Sequence, residues 1–146
     1  KKDKLRLEIA KKLGADIVLD SGEEDAYKEV KELTGGIGAE VVFEVGGRPK
    51  SFEQAVMMAS GEGKVFVLGF PKEANINPLV HIVRQNLTIK GVVGSLPRHY
   101  ETTIRWLENH FVRVEPMVTH ILSLEEANKG FELMKNKEAG KITFHI

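Results

Sequence analysis

Two short runs constrain what this chain can fold into more than any other feature. Glu40 to Gly47 reads E-V-V-F-E-V-G-G, and Lys64 to Gly69 reads K-V-F-V-L-G. Each is almost continuously apolar, rich in valine and phenylalanine, and ends in glycine. A strand wet on one face alternates apolar with polar residues. These do not, and they suit strands of a parallel sheet covered by helices on both faces. The glycines fall at the carboxyl ends, where an open α/β sheet binds its ligand and where a missing side chain lets a ligand approach the main chain. The inference is a nucleotide-binding α/β domain with its ligand against these two ends. Glycines used only for turning are the competing reading.

The chain has 146 residues, the size of one ordinary domain, and is long enough to bury a core without staples. Basic and acidic residues balance to a formal net charge of zero, so there is no basic footprint and no nucleic-acid partner is expected. There is no cysteine, which excludes disulfides and thiolate metal sites within the chain and fits a reducing compartment. No apolar run approaches the ~18 residues that cross a bilayer, and the N-terminus is not signal-like. We therefore expect a cytoplasmic protein with no membrane partner.

Taken in order, Leu5, Ile9 and Leu13 share one face of a helix stopped by Gly14. Ile17 to Leu19 reads as a short strand. Ser21 and Glu24 have capping-box spacing for a helix whose buried side is Ala26, Tyr27, Val30 and Leu33. Thr34-Gly35-Gly36-Ile37-Gly38 follows a helix and precedes a strand, the reverse of a phosphate cradle, and reads as a loop. Ser51 and Gln54 box a helix from Phe52 to Ala59, and Asn77 caps a short helix with Pro78 in its first turn. Leu87 to Val93 is a third strand, ending at Gly94. Tyr100, Ile104, Leu107 and Phe111 mark a longer helix. Met117 to Leu122 is a strand, Ser123 and Glu126 cap a helix facing inward through Ala127, Phe131 and Met134, and Lys141 to Ile146 closes as a strand. The pattern is one domain of alternating helices and strands. No GxGxxG occurs anywhere, and the chain opens on a helix rather than on strand and glycine turn.

These residues resemble the coenzyme domain of medium-chain, zinc-type alcohol and polyol dehydrogenases, with sorbitol- and threonine-dehydrogenase-like members nearest in appearance. The likeness is carried by L-R-L-E-I-A-K-K-L-G-A-D (Leu5 to Asp16), G-A-E-V-V-F-E-V-G-G (Gly38 to Gly47), G-K-V-F-V-L-G-F-P (Gly63 to Pro71) and L-T-I-K-G-V-V-G (Leu87 to Gly94). V-T-H-I-L-S-L-E-E-A-N-K-G-F-E-L-M (Val118 to Met134) and G-K-I-T-F (Gly140 to Phe144) continue it to the end, in register. The resemblance implies a partial doubly wound, Rossmann-like parallel sheet lacking its first two strands, with residues 1–146 as the C-terminal portion of a dinucleotide-binding domain. It implies that Val45, Gly46 and Gly47 contact the nicotinamide-side ribose and that Leu68, Gly69 and Phe70 contact the nicotinamide ring. Val92, Val93 and Gly94 would line the ring's other side, and Lys141 would reach the pyrophosphate, a solvated strand-end lysine being the alternative. The cofactors implied are NAD or NADP, and zinc bound by the parent protein outside this chain.

The same resemblance implies that the zinc ligands, the phosphate-binding turn and the ribose-reading acid lie upstream. Lys1 and Lys2 would favour a 2′-phosphate, or are simply solvated, and Asp3 is too close to the helix to be that acid. The five histidines are scattered with no second ligand type at i, i+4, and none is assigned to a metal. His120 reads as a strand histidine near a subunit contact or the surface. Glu23-Glu24-Asp25 complements a helix N-terminus, and Asp20 lacks the partner acids of a phospho-acceptor. Three readings stay open: a coenzyme-binding portion acting with a small alcohol or polyol substrate, without turnover on its own; a zinc-free quinone or enoyl reductase of the same superfamily; and a stand-alone non-catalytic module. With strand order 3-2-1-4-5-6, a gap beside the Val41 strand would leave exposed edges. We expect a homo-oligomer, with exchanged elements if the gap is filled by a second copy.

Overall fold

A computed structural model describes residues 3–22 and 24–146. The Lys1-Lys2 pair and Glu23 of the acidic run lie outside the described residues. Along the chain run α1 (Lys4–Lys12), α2 (Ala26–Leu33), β1 (Ala39–Glu44), α3 (Pro49–Met58), β2 (Ala59–Val67), β3 (Thr88–Gly91), α4 (Pro97–Glu108), β4 (Val118–Ser123), α5 (Ala127–Lys135) and β5 (Lys141–His145), with a π-helical turn at Leu79–Val83 and 3-10 turns at Glu115–Met117 and Leu124–Glu126. The chain forms two compact units, one from Glu24–Gly94 and one from Lys1–Glu23 with Ser95–Ile146.

In the Glu24–Gly94 unit, β1, β2 and β3 make a parallel sheet in that order. Alternation along each strand sends Val42 and Glu44, Val65 and Val67, and Ile89 to one face. There Ala55 and Val56 of α3 meet Ala59, Val65 and Leu87, and Val42, Phe52, Val67, Ile82 and Ile89 pack around them. Val65 is fully buried. The opposite face is not covered. Val41 and Phe43 are exposed, and the Phe43 ring stacks on Phe66 of β2 with centroids 5.3 Å apart. This corrects the expectation of strands buried on both sides. The apolar runs were read properly as apolar, but the described helices of this unit that contact the sheet pack through α3 on a single face.

Local chemistry moved several boundaries. The helix expected from Ser21 begins later as α2, because the Asp25 carboxylate accepts from Lys28 N and caps it. Leu33, expected inside, is 55% exposed. Helix α3 starts at Pro49, which is preorganised for a first turn, and Ser51 sits inside it, accepting from Arg48 N at 3.1 Å. Asn77 does cap its turn, accepting from Val80 N at 3.2 Å, but that turn is π-helical.

In the other unit, β4 and β5 pair in parallel. Ile9, Leu122 and Ala139 are buried, and Arg6 Nε donates to Ala139 O at 3.3 Å. Helix α1 forms as expected, with Leu5 and Leu13 half-buried beside Ile9. Residues 17–20 form no strand, because a strand needs a neighbour for its ladder and none of the described strands pairs with them. The anticipated inward faces are only partly covered: Leu107 of α4 and Ala127 of α5 are half-buried, but Tyr100 and Ile104 of α4 are exposed, Phe111 lies beyond that helix, and Phe131 of α5 is 72% exposed. Gly130 and Leu133 join Ala127 on the inward side of α5.

Candidate functional site

Three adjacent parallel strands end on the same side of the Glu24–Gly94 unit, and their following turns carry the residues expected to matter. Strand β1 stops at Glu44, so Val45, Gly46 and Gly47 form the turn into α3. Strand β2 stops at Val67 and β3 at Gly91, placing Leu68-Gly69-Phe70 and Val92-Val93-Gly94 just past the ladder. Main-chain bonds tie the turns together. Leu68 N and Gly69 N both donate to Glu44 O, at 2.8 and 3.0 Å, and Val92 N donates to Val67 O at 2.9 Å.

Gly47 and Gly69 meet with no room for side chains. A Cβ on Gly69 would strike Gly47 N, and would stand 2.5 Å from Gly47 Cα and from Glu44 Oε2. A Cβ on Gly47 would come 2.9 Å from Phe70 N, and its φ of +65° is itself a glycine conformation. Gly46 faces Ser51, whose Oγ would lie 2.9 Å from an added Cβ. Gly94 also has φ +65° but open space around it. Around this glycine joint Val45, Phe70 and Val93 are well exposed, and Leu68 and Val92 partly so.

The residue that sequence reading missed is Glu44. Its side of the pleat faces α3, and it is 3% exposed. Oε1 accepts from Gly47 N at 2.8 Å and from Ser51 Oγ at 2.6 Å. Among the described residues, Oε2 has no hydrogen-bond partner. Thus one carboxylate braces the β1 turn while its own carbonyl braces the β2 turn. The available signal was a second charged residue inside an otherwise water-free run, followed seven positions later by a serine.

Lys141 lies in the other unit, at the first position of β5. It is exposed and lines an apolar cavity of about 180 Å³ with Gly130, Phe131, Met134, Ile142 and Phe144. His120 lies on β4, half-buried, its Nδ1 2.9 Å from Thr119 Oγ1. Asp20 Oδ1 accepts from Gly22 N at 3.0 Å, closing a local turn.

At the glycine joint the two main chains occupy the space that a Cβ would need, and exposed apolar side chains lie around it. No group of three His, Cys, Asp or Glu able to hold a metal ion occurs among the described residues. No described helix is long and apolar enough to cross a membrane.

A family model described as zinc-binding dehydrogenase matches residues 1–109. The chain is 34% identical over 148 residues to L-threonine 3-dehydrogenase of Bacillus licheniformis, covering 97% of this chain and 41% of that protein. It is 36% identical over 144 residues to the enzyme of that name from Pyrococcus horikoshii, with the same coverage. Among solved structures it resembles 2R,3R-butanediol dehydrogenase from Bacillus subtilis, with TM-score 0.85 and 28% identity over 98% of this chain and 41% of that one. Benzyl alcohol dehydrogenase from Acinetobacter calcoaceticus gives TM-score 0.88 and 26% identity over 98% and 40%. The chain thus spans about 41% of the length of the curated relatives it matches. A family match over residues 1–109 of 146, on a parallel α/β fold shared with these dehydrogenases, places the chain in the zinc-binding dehydrogenase family.

Proposed function

We propose that residues 1–146 are the C-terminal portion of the coenzyme domain of a medium-chain alcohol or polyol dehydrogenase, with the zinc-binding catalytic part outside this chain. The coenzyme is NAD or NADP, and the parent's reaction is hydride transfer to or from the carbon of a small alcohol, zinc supplying polarisation of the alcohol oxygen. Within this chain, Val45, Gly46 and Gly47 seat the nicotinamide-side ribose. Leu68, Gly69 and Phe70 back the ring, and Val92, Val93 and Gly94 flank it. Lys141 is the proposed pyrophosphate contact, resting on the family resemblance alone. The reading is supported chiefly by the Gly47–Gly69 joint, bare of side chains and rimmed by exposed apolar groups at the ends of adjacent parallel strands.

Self-association belongs to the same proposal. Strands β1 and β3 end the sheet among the described strands, and Val41 and Phe43 leave one apolar face open. Saturation-transfer NMR with NAD and the purified chain tests the coenzyme assignment. Transfer concentrated on nicotinamide protons supports it, and transfer to adenine alone, or none, refutes it. No zinc-dependent alcohol oxidation is expected from the chain by itself, and turnover would show that it holds more than a coenzyme pocket.

A further inference from the structure

The Glu24–Gly94 unit holds a second concave site, at the end of its sheet opposite the glycine joint. Glu40 near the start of β1 and Ser60, Gly61, Glu62, Gly63 and Lys64 in the first half of β2 line a cavity of about 350 Å³. The two strands run parallel, so these early positions share one end of the sheet, and the joint past Glu44 and Val67 takes the other. A cavity of that size stands at the small end of ligand pockets and takes a molecule nearer an amino acid than a nucleotide. Its polar groups are idle. Glu40 and Lys64 carry opposite charges on neighbouring strands, yet among the described residues no ion pair joins them, and Glu62 has none either. Ser60 is the sharper observation. It lines the cavity at only 4% exposure, and among the described residues its hydroxyl makes no hydrogen bond. A buried hydroxyl normally finds a partner, so an unpaired one on a cavity wall marks a place for a ligand's polar group. The wall is also held still. Glu62 N donates to Gln85 O at 2.7 Å, and Lys31 Nζ donates to Ala59 O, just ahead of Ser60, at 3.3 Å.

We propose that this cavity is a second ligand site, for a zwitterionic α-amino acid. Its lining matches such a molecule group for group: two carboxylates for the ammonium, the Lys64 ammonium for the carboxylate, and the Ser60 hydroxyl for either polar end. A bare metal cation would have Lys64 against it, and a simple anion would have both glutamates against it. Each end of a zwitterion meets the opposite sign, so the pair of charges is recognised and neither alone is. The site stands apart from the coenzyme joint and does not depend on that assignment.

The probes are L-serine, L-serinamide, which lacks the carboxylate charge, and N-acetyl-L-serine, which lacks the ammonium charge. Each is titrated into the isotope-labelled chain at constant ionic strength and about pH 6, where the α-amino groups are protonated. Main-chain amide shifts give the dissociation constants. L-Serine should shift residues 40–41 and 60–64 in a saturable way and bind about 3-fold or more tightly than either single-charge probe, the worth of one exposed ion pair. Glu62→Gln and Lys64→Gln should each weaken L-serine by a similar factor, and Lys64→Gln should bring it down to the level of L-serinamide. Both side chains are exposed, so neither variant endangers the fold. L-Serinamide matching L-serine in the wild-type chain would make this a cation site and overturn the proposal. Shifts at residues 40–41 and 60–64 that are absent, or that never saturate, overturn it without any variant. An L-serine affinity unchanged in both variants overturns it too.

Discussion

At Gly69 a single methyl group has nowhere to go. It would be driven against the Gly47 main chain and the buried Glu44 carboxylate, neither of which is the free end of a flexible side chain. Gly69→Ala should therefore cost about 1–3 kcal/mol, the usual range for overpacking, whereas Gly91→Ala, with open space around it, should stay within about 0.5 kcal/mol. Urea denaturation of both variants checks this, and equal midpoints would mean the two turns are not in contact. Glu44→Ala removes the acceptor shared by two hydrogen bonds and leaves Gly47 N without its partner, while the Ser51 hydroxyl keeps its bonds to Arg48. Its expected cost is about 2–3 kcal/mol, against about 1 kcal/mol for Ser51→Ala, which removes the hydroxyl donor and the exposed acceptor of Arg48 N. The same denaturation series reads that ordering, and a larger loss for Ser51→Ala would contradict the clasp.

Among the elements, α5 carries the pH-sensitive start. The Glu125 carboxyl is held below its ordinary value by its own main-chain N–H and then by the Ser123 hydroxyl. Glu126 is lowered first by its bond to Lys129, whose Nζ donates to Oε1 at 2.8 Å, and then by Ser123 N. Both groups have folded values below their unfolded ones. Their contribution is complete above the ordinary carboxylate range and is lost as pH falls through the depressed folded values. Amide exchange in residues 127–135 should accelerate as pH drops below that range, after correction for intrinsic rates, and Glu126→Gln should flatten the change. An unaltered profile in that variant would remove the cap from the account. This start was partly legible beforehand: Ser123 and Glu126 have the spacing of a capping box, which the structure uses to cap the 3-10 turn Leu124–Glu126 that leads into α5 rather than α5 itself. The same spacing at Ser21 and Glu24 does not start α2, since Asp25, four residues beyond Ser21, caps that helix directly.

For the whole chain, β1 to β5, the helices between them and the glycines past three strand ends could be read from apolar runs and their punctuation, whereas the strand expected at Ile17 to Leu19 does not form. Burial could not be read. Periodicity shows that Phe43, Ile104 and Phe131 are apolar, but only three-dimensional neighbours decide whether anything covers them, and here they are exposed. Nor could Glu44 be singled out, because its weight comes from which donors converge on it. The open β1–β2 face predicts concentration-dependent self-association in sedimentation velocity, shifted toward the monomer by Phe43→Lys. A wild-type chain that stays monomeric across millimolar concentrations would dispose of that prediction.

The most direct test of the account is a residue-by-residue map of main-chain amide shifts as nicotinamide mononucleotide is added to the isotope-labelled chain. Shifts should gather at residues 45–47, 68–70 and 92–94, with residues on α1, α4 and β4 unmoved. Shifts confined to other residues, or a spectrum unchanged at millimolar ligand, would contradict a nicotinamide seat at the ends of β1, β2 and β3.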